Sequence, residues 1–330
     1  MRLFRSSYLY SYVTTSISKI LGKDDLLEVL KADSLDNAVK IISNKPLGLH
    51  LYKLLVENKL SLKNINEALT EYLMEKHSKL YREAPAKARK YIELLDRLYD
   101  ALNLALFLDK LSSGGKPEYL LHTGLMFRER VTISDIENVE QLIERLVEKK
   151  MHVYANTLKR YKVNPLYFLY KLVNTIMPRQ KTLDLPYRRL LGFTHDFLWI
   201  MVCSGQGEIP ANLVPRLYYL SLNEFNNICL AKNIEEVAVI LQGGYYKEYA
   251  EILRHVFRLG IGVSALLLAY ALYTPLLVFD LIRPYTPHPY IRYYTLLLSE
   301  NILANACLTA VSTDMFRKEL GELINRWWIL

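Results

Sequence analysis

Cysteine is scarce: three occur in 330 residues, Cys203, Cys229 and Cys307, far apart and odd in number. That argues against a disulfide framework and suits a reducing cytoplasm. Glycine is sparse too, at 13 residues, which disfavours glycine-rich phosphate loops and turn-dense all-β folds. Long strand-like alternations of apolar and polar residues are missing. The net charge is +8, yet no block of Lys and Arg stands anywhere. The charge therefore fits a solvated basic surface as well as a nucleic-acid, acidic-lipid or acidic-protein partner. The opening MRLFRSSYLYSYVTTSISK has no apolar core ahead of a small-residue cleavage site, and reads as the start of a helix rather than a signal peptide.

Recognisable chemistry is lacking as well. SSGGK at Ser112 is not a phosphate loop: Lys110 stands where the first glycine is required, and Pro117 replaces the Ser or Thr after Lys116. GQG at Gly205 has no third glycine. The seven histidines never reach metal-ligand spacing, and HExxH, CxxC and GxSxG are absent. His195 and Asp196 are adjacent, but neighbouring residues on a helix point in different directions, which argues against a dyad. The expectation is a non-enzyme with no catalytic residues, no cofactor, no metal and no small-molecule substrate.

What is present is helical and repetitive. Apolar residues make up 51% of the chain and charged residues 23%, enough for a large core. SLDNAVKII from Ser34, NVEQLIERL from Asn138 and NIEEVAVIL from Asn233 each open on a helix N-cap residue, at spacings of 104 and 95. One, four, five and eight residues past the cap they share an apolar stripe: Leu35, Ala38, Val39 and Ile42 in the first copy correspond to Val139, Leu142, Ile143 and Leu146 in the second. Asn138 with Gln141, and Asn233 with Glu236, resemble capping boxes. A preceding helix repeats in register, with Leu26, Val29 and Ala32 matching Phe225, Ile228 and Ala231. A second marker lies in long apolar helices. Asn103, Trp199 and Asn305 are equivalent in this reading, at spacings of 96 and 106, and the two asparagines are structural. Two markers at one period predict an all-α chain of three similar units, 1–112, 113–210 and 211–330, related by rotations of about 120°.

One stretch stands apart. Gly260–Phe279, GIGVSALLLAYALYTPLLVF, is uncharged for 20 residues and flanked by Arg258 and Arg283. Its length allows a membrane span, but Pro275 interrupts it. A buried helical hairpin is favoured, with a single-span membrane-anchored protein and a basic helical scaffold for nucleic acid as the alternatives.

Several segments resemble the C subunit of the archaeal-type (A-type) ATP synthase, the homologue of the d subunit of the vacuolar ATPase. SKILGKDDLLEVLKADSLDNAVKII is similar to that family's opening. LYDALNLALFLDKLSSG resembles its Asp-x-x-Asn helix, with Asp109 near the usual Arg. LSLNEFNNICLAKNIEEVAVILQGGYY resembles the late counterpart of the opening, and PYIRYYTLLLSENILANACL its closing helix. In the closing helix Glu300 and Asn305 agree, while Ser299 replaces a Lys and Ile302 a Glu; Trp199 stands where the middle unit usually has Asn. The resemblance implies a non-catalytic rotor subunit of the central stalk: a pseudo-threefold helical funnel, peripheral on the inner, cytoplasmic face of the cell membrane. Its implied partners are the membrane proteolipid (c) ring and the central shaft, with no nucleic acid. Such a socket needs wet contact surfaces, which suits the 25 tyrosines.

Overall fold

The computed structural model describes residues 2–114, 121–131, 133, 135–161, 164–177, 185–204, 213, 215–262, 264–279, 281 and 286–330, with side chains from Tyr10 onward except at 185 and 186. Gly115–Pro117, Gly205–Gly207 and Arg283 fall outside them. Among the described residues there are seventeen α-helices and no strand. In chain order they are α1 (Arg2–Ile17), α2 (Lys23–Lys31), α3 (Leu35–Ile41), α4 (Pro46–Val56), α5 (Leu62–Glu83), α6 (Ala86–Ser112), α7 (Leu125–Arg128), α8 (Val139–Glu148) and α9 (His152–Tyr161). There follow α10 (Pro165–Ile176), α11 (Leu185–Cys203), α12 (Leu222–Leu230), α13 (Ile234–Gln242), α14 (Lys247–Phe257), α15 (Ser264–Val278), α16 (His288–Thr313) and α17 (Arg317–Trp327). By packing, the chain separates into two compact units, residues 1–89 with 247–330, and residues 90–246.

The predicted caps are present. Ser34, Asn138 and Asn233 each accept a hydrogen bond from the backbone N–H three residues on, at Asn37, Gln141 and Glu236. This fixes where α3, α8 and α13 begin, by satisfying a donor that has no partner within the helix. The capping boxes are modified. Gln141 Oε1 accepts from Glu137 N–H and Glu236 Oε2 from Lys232 N–H, both at 2.8 Å. The return bond thus reaches one residue ahead of the cap, because that N–H also lacks a helical partner. The preceding helices agree in detail as well. Both α2 and α12 are nine residues long, both end on an extended alanine (Ala32, Ala231), and both bury the matched apolar triplet.

In the unit formed by residues 1–89 and 247–330, α16 is the central element, packed by α1, α2, α3, α5, α15 and α17. It is apolar on every side, as a helix enclosed by others must be. By length and composition α16 is also the one described helix able to cross a membrane, yet 72% of its apolar window is buried within the protein. Arg317 at the start of α17 donates to the Ala32 carbonyl at 2.6 Å, covering the exposed end of α2.

The apolar run is not a hairpin. From Ser264 to Val278 it forms one helix, α15, with Pro275 inside it. Proline's fixed φ is itself helical, so the residue removes one donor without forcing a turn. The Thr274 hydroxyl donates to the Tyr270 carbonyl at 2.9 Å beside the interruption. At 15 residues the helix is short for a bilayer. Leu266 and Leu268 are buried and Leu267 is half-buried. Leu266→Lys and Leu268→Lys should each cost several kcal/mol, because an unpaired charge enters the core. Leu267→Lys should cost clearly less, because its amine can reach solvent along the stem. Thermal unfolding in detergent-free buffer checks the ranking, and equal losses at all three positions would contradict it.

In the unit formed by residues 90–246, α8 packs on α9, α9 on α10, α11 on α12 and α12 on α13. Asn164 caps α10, with Pro165 in the first turn, where a missing N–H costs nothing. The core here is rich in aromatics, among them Phe193, Phe197, Trp199, Phe225 and Tyr246.

Candidate functional site

Three carboxylates sit inside long apolar helices, and each holds backbone N–H groups at the opening of a segment distant in sequence. Asp196 on α11 is fully buried. Its oxygens accept from the N–H groups of Tyr218 (2.9 Å), Tyr219 (2.8 Å) and Leu220 (3.1 Å), and from the Tyr246 hydroxyl (2.7 Å). These donors lie just ahead of α12, where helix geometry leaves N–H groups without intrahelical partners.

Asp100 on α6 does the same for α7. It accepts from Leu125 N–H at 3.1 Å, Met126 N–H at 3.1 Å and the Tyr154 hydroxyl at 2.9 Å. Burial, then the neighbouring Asp96, raise its carboxyl well above the ordinary range. Asp96 is ion-paired with Arg128. Gly124 precedes the held N–H groups at φ 108°, and a Cβ there would strike the Asp100 carboxylate. Glycine is therefore required both by conformation and by the close approach.

The third carboxylate, Glu300 on α16, accepts from Leu21 N–H at 2.8 Å through Oε1. Its Oε2 is buried and has no hydrogen-bond partner among the described residues. Burial pushes its carboxyl up to about 8, opposed by the Leu21 N–H. The held segment is fixed from other sides too. Trp328 Nε1–H donates to the Leu21 carbonyl at 3.0 Å, and Lys23 N–H to the Leu330 carbonyl at 2.7 Å.

The three arrangements share one register. Leu21, Leu125 and Leu220 each lie 13 residues ahead of a cap, Ser34, Asn138 and Asn233 respectively. The carboxylates, at 100, 196 and 300, lie 96 and 104 residues apart. The residues singled out from sequence as repeat markers do different things. Asn103 makes a two-way amide bridge to the Leu121 backbone, at 2.9 and 3.1 Å. Trp199 is buried, and its indole N–H has no hydrogen-bond partner among the described residues. Asn305 is half-buried, and its amide oxygen is likewise without one. The residues that share a geometry are the acids three, three and five positions earlier. A lone acid at the repeat rhythm inside an apolar helix is the signal that points to them.

His195 and Asp196 do meet, contrary to the expectation from helix directions. His195 Nδ1 lies 3.0 Å from Asp196 Oδ1, and both are buried. A short side chain bent along its own helix reaches the neighbouring ring, which the general rule for adjacent positions does not cover. The same carboxylate already accepts from three backbone N–H groups and a tyrosine hydroxyl, so its lone pairs are taken up by structure. Among the described residues no three His, Cys, Asp or Glu gather as a metal site would require.

The class that fold and site define is an all-helical protein whose buried acids are engaged with main chain. The chain belongs to the ATP synthase (C/AC39) subunit family, which matches residues 11–260; this family holds the C and d subunits of the A/V-type rotary ATPases. Members are structural subunits of a membrane-associated rotary complex. The match ends just before α15, so α15, α16 and α17 lie beyond it. No curated protein matches the chain.

Proposed function

We propose that this chain is the non-catalytic socket of the central stalk in an A/V-type rotary ATPase, joining the membrane proteolipid ring to the central shaft while proton or sodium transport is coupled to ATP synthesis or hydrolysis. The observation that carries the reading is the family match over residues 11–260. The three carboxylate clasps support the accompanying architecture of three helical units, 1–112, 113–210 and 211–330, set in a pseudo-threefold funnel. Each clasp ties the long helix of one sequence unit to the opening of the next, and the third, through Glu300 and Leu21, ties to the first. In this reading the protein is cytoplasmic and peripheral on the inner membrane face, with no nucleic-acid or small-molecule partner.

The test is purification from native membranes in mild detergent, followed by carbonate extraction and calorimetry with ATP. The protein should co-purify with proteolipid and shaft subunits, leave the membrane in carbonate, and bind no nucleotide. Stoichiometric ATP binding would overturn the socket reading. Retention in carbonate-washed membranes would instead favour a membrane-anchored protein.

A further inference from the structure

Along the contact between α11 and α12, matched positions advance together. Asp196 holds the Leu220 N–H. Trp199 meets Phe225 edge-on, with ring centroids 6.3 Å apart. Four residues further along each helix, the Cys203 thiol is hydrogen-bonded with Cys229. Both sulfurs are reduced, and the two residues are 0% and 1% exposed. This is a zipper of two helices running in the same sense, with small side chains at its last rung. Close approach there brings backbones toward the 4.4–6.8 Å Cα separation that a disulfide spans. Cys307, by contrast, lies alone on α16.

We propose that Cys203 and Cys229 are a dithiol site that a low-molecular-weight disulfide oxidises to an intrachain disulfide, stapling α11 to α12. The exchange proceeds in two displacements. One cysteine, as thiolate, attacks the reagent's S–S bond, forms a mixed disulfide and releases one small thiol. The second cysteine thiolate then attacks the mixed disulfide, closes the Sγ–Sγ bond and releases the other small thiol. Two S–H protons go to solvent, and the two electrons leave in the reduced reagent. The hydrogen bond with Cys229, and then burial, keep the Cys203 thiol protonated well above the usual range. Attack in the folded state is therefore slow, and closure occurs during folding or when the end of α11 opens. Once formed, the bond closes a loop of about 25 residues around the segment that Asp196 holds. It should raise the melting temperature of this unit by about 5–10 °C.

The test refolds the reduced chain with oxidised glutathione, traps free thiols by alkylation, and reads intact mass and linked peptides. The parent and Cys307→Ala should both lose two hydrogens at native helicity, yield one peptide pair joining 203 to 229, and melt higher until dithiothreitol reverses the change. Cys203→Ala and Cys229→Ala should form no such pair. The parent alone decides the matter if a variant misfolds. Full alkylation of all three cysteines at native helicity, or a bridge through Cys307, overturns the proposal.

Discussion

Asp196→Ala should destabilise its unit by about 4 kcal/mol or more, the largest loss expected from any single side chain outside the apolar core. The carboxylate serves three backbone N–H groups, at Tyr218, Tyr219 and Leu220, and the Tyr246 hydroxyl. Each donor left unsatisfied in a buried setting costs about 1–3 kcal/mol, less where water can enter. Tyr218 and Tyr219 are half-exposed, so water relieves part of their loss, whereas Leu220 is buried. Asp196→Asn should cost less, because one acceptor oxygen remains. Amide exchange should localise the damage, with Tyr218, Tyr219 and Leu220 losing protection before the body of α12. Asp135→Ala is the contrast. Its ion pair with Arg145 at 2.7 Å is exposed, so its removal should cost under about 1 kcal/mol. Chemical denaturation of the three variants checks the ranking, and an Asp196→Ala protein as stable as Asp135→Ala would refute the clasp.

Glu300→Gln should flatten the pH dependence of stability, with the variant more stable than the parent at pH 9. The folded carboxyl is raised to about 8 by burial, against an ordinary value of 4.5. Between those values the folded protein holds a proton that the unfolded chain has released. The stabilisation is therefore full below about pH 4.5 and is lost as pH rises toward 8. The lost increment is on the order of 3–5 kcal/mol. The surrounding charges are mixed. Lys45 and Lys76 favour the ionised form and Asp25 opposes it, while Tyr72 on α5 and Tyr293 on α16 also face the carboxyl. None of these removes the burial cost. Glutamine keeps an oxygen for Leu21 N–H but cannot ionise. Unfolding free energies at pH 5, 7 and 9 are the measurement; parallel curves for parent and variant would show that Glu300 is already charged in the folded protein.

The caps of α3, α8 and α13 are legible in the sequence because a cap is local: a side-chain oxygen meets an N–H three residues away, and both lie in one short string. The clasps are not legible. The acids themselves stand out in their apolar helices, but their partners are backbone N–H groups, which carry no residue signature, 22 to 279 positions away. Sequence alone therefore points to the wrong member of each helix, Asn103, Trp199 and Asn305 in place of Asp100, Asp196 and Glu300. Pro275 misleads for a different reason. It is a helix breaker in exposed segments, but α15 is enclosed on nearly every side, and tertiary packing outweighs local propensity there.

The placement of two polar residues on α16 has a mechanical consequence. An apolar helix among apolar neighbours can slide or turn with little resistance, because one set of methyl contacts replaces another. Glu300 and Asn301 prevent that. They engage the backbone at Leu21 and Leu69, at 2.8 and 2.7 Å, in two different segments. Axial slip by one turn, about 5.4 Å, breaks both bonds together and leaves buried groups without partners. The helix thus behaves as a keyed shaft rather than a greased one: a twisting load must shear hydrogen bonds before α16 moves in its seat.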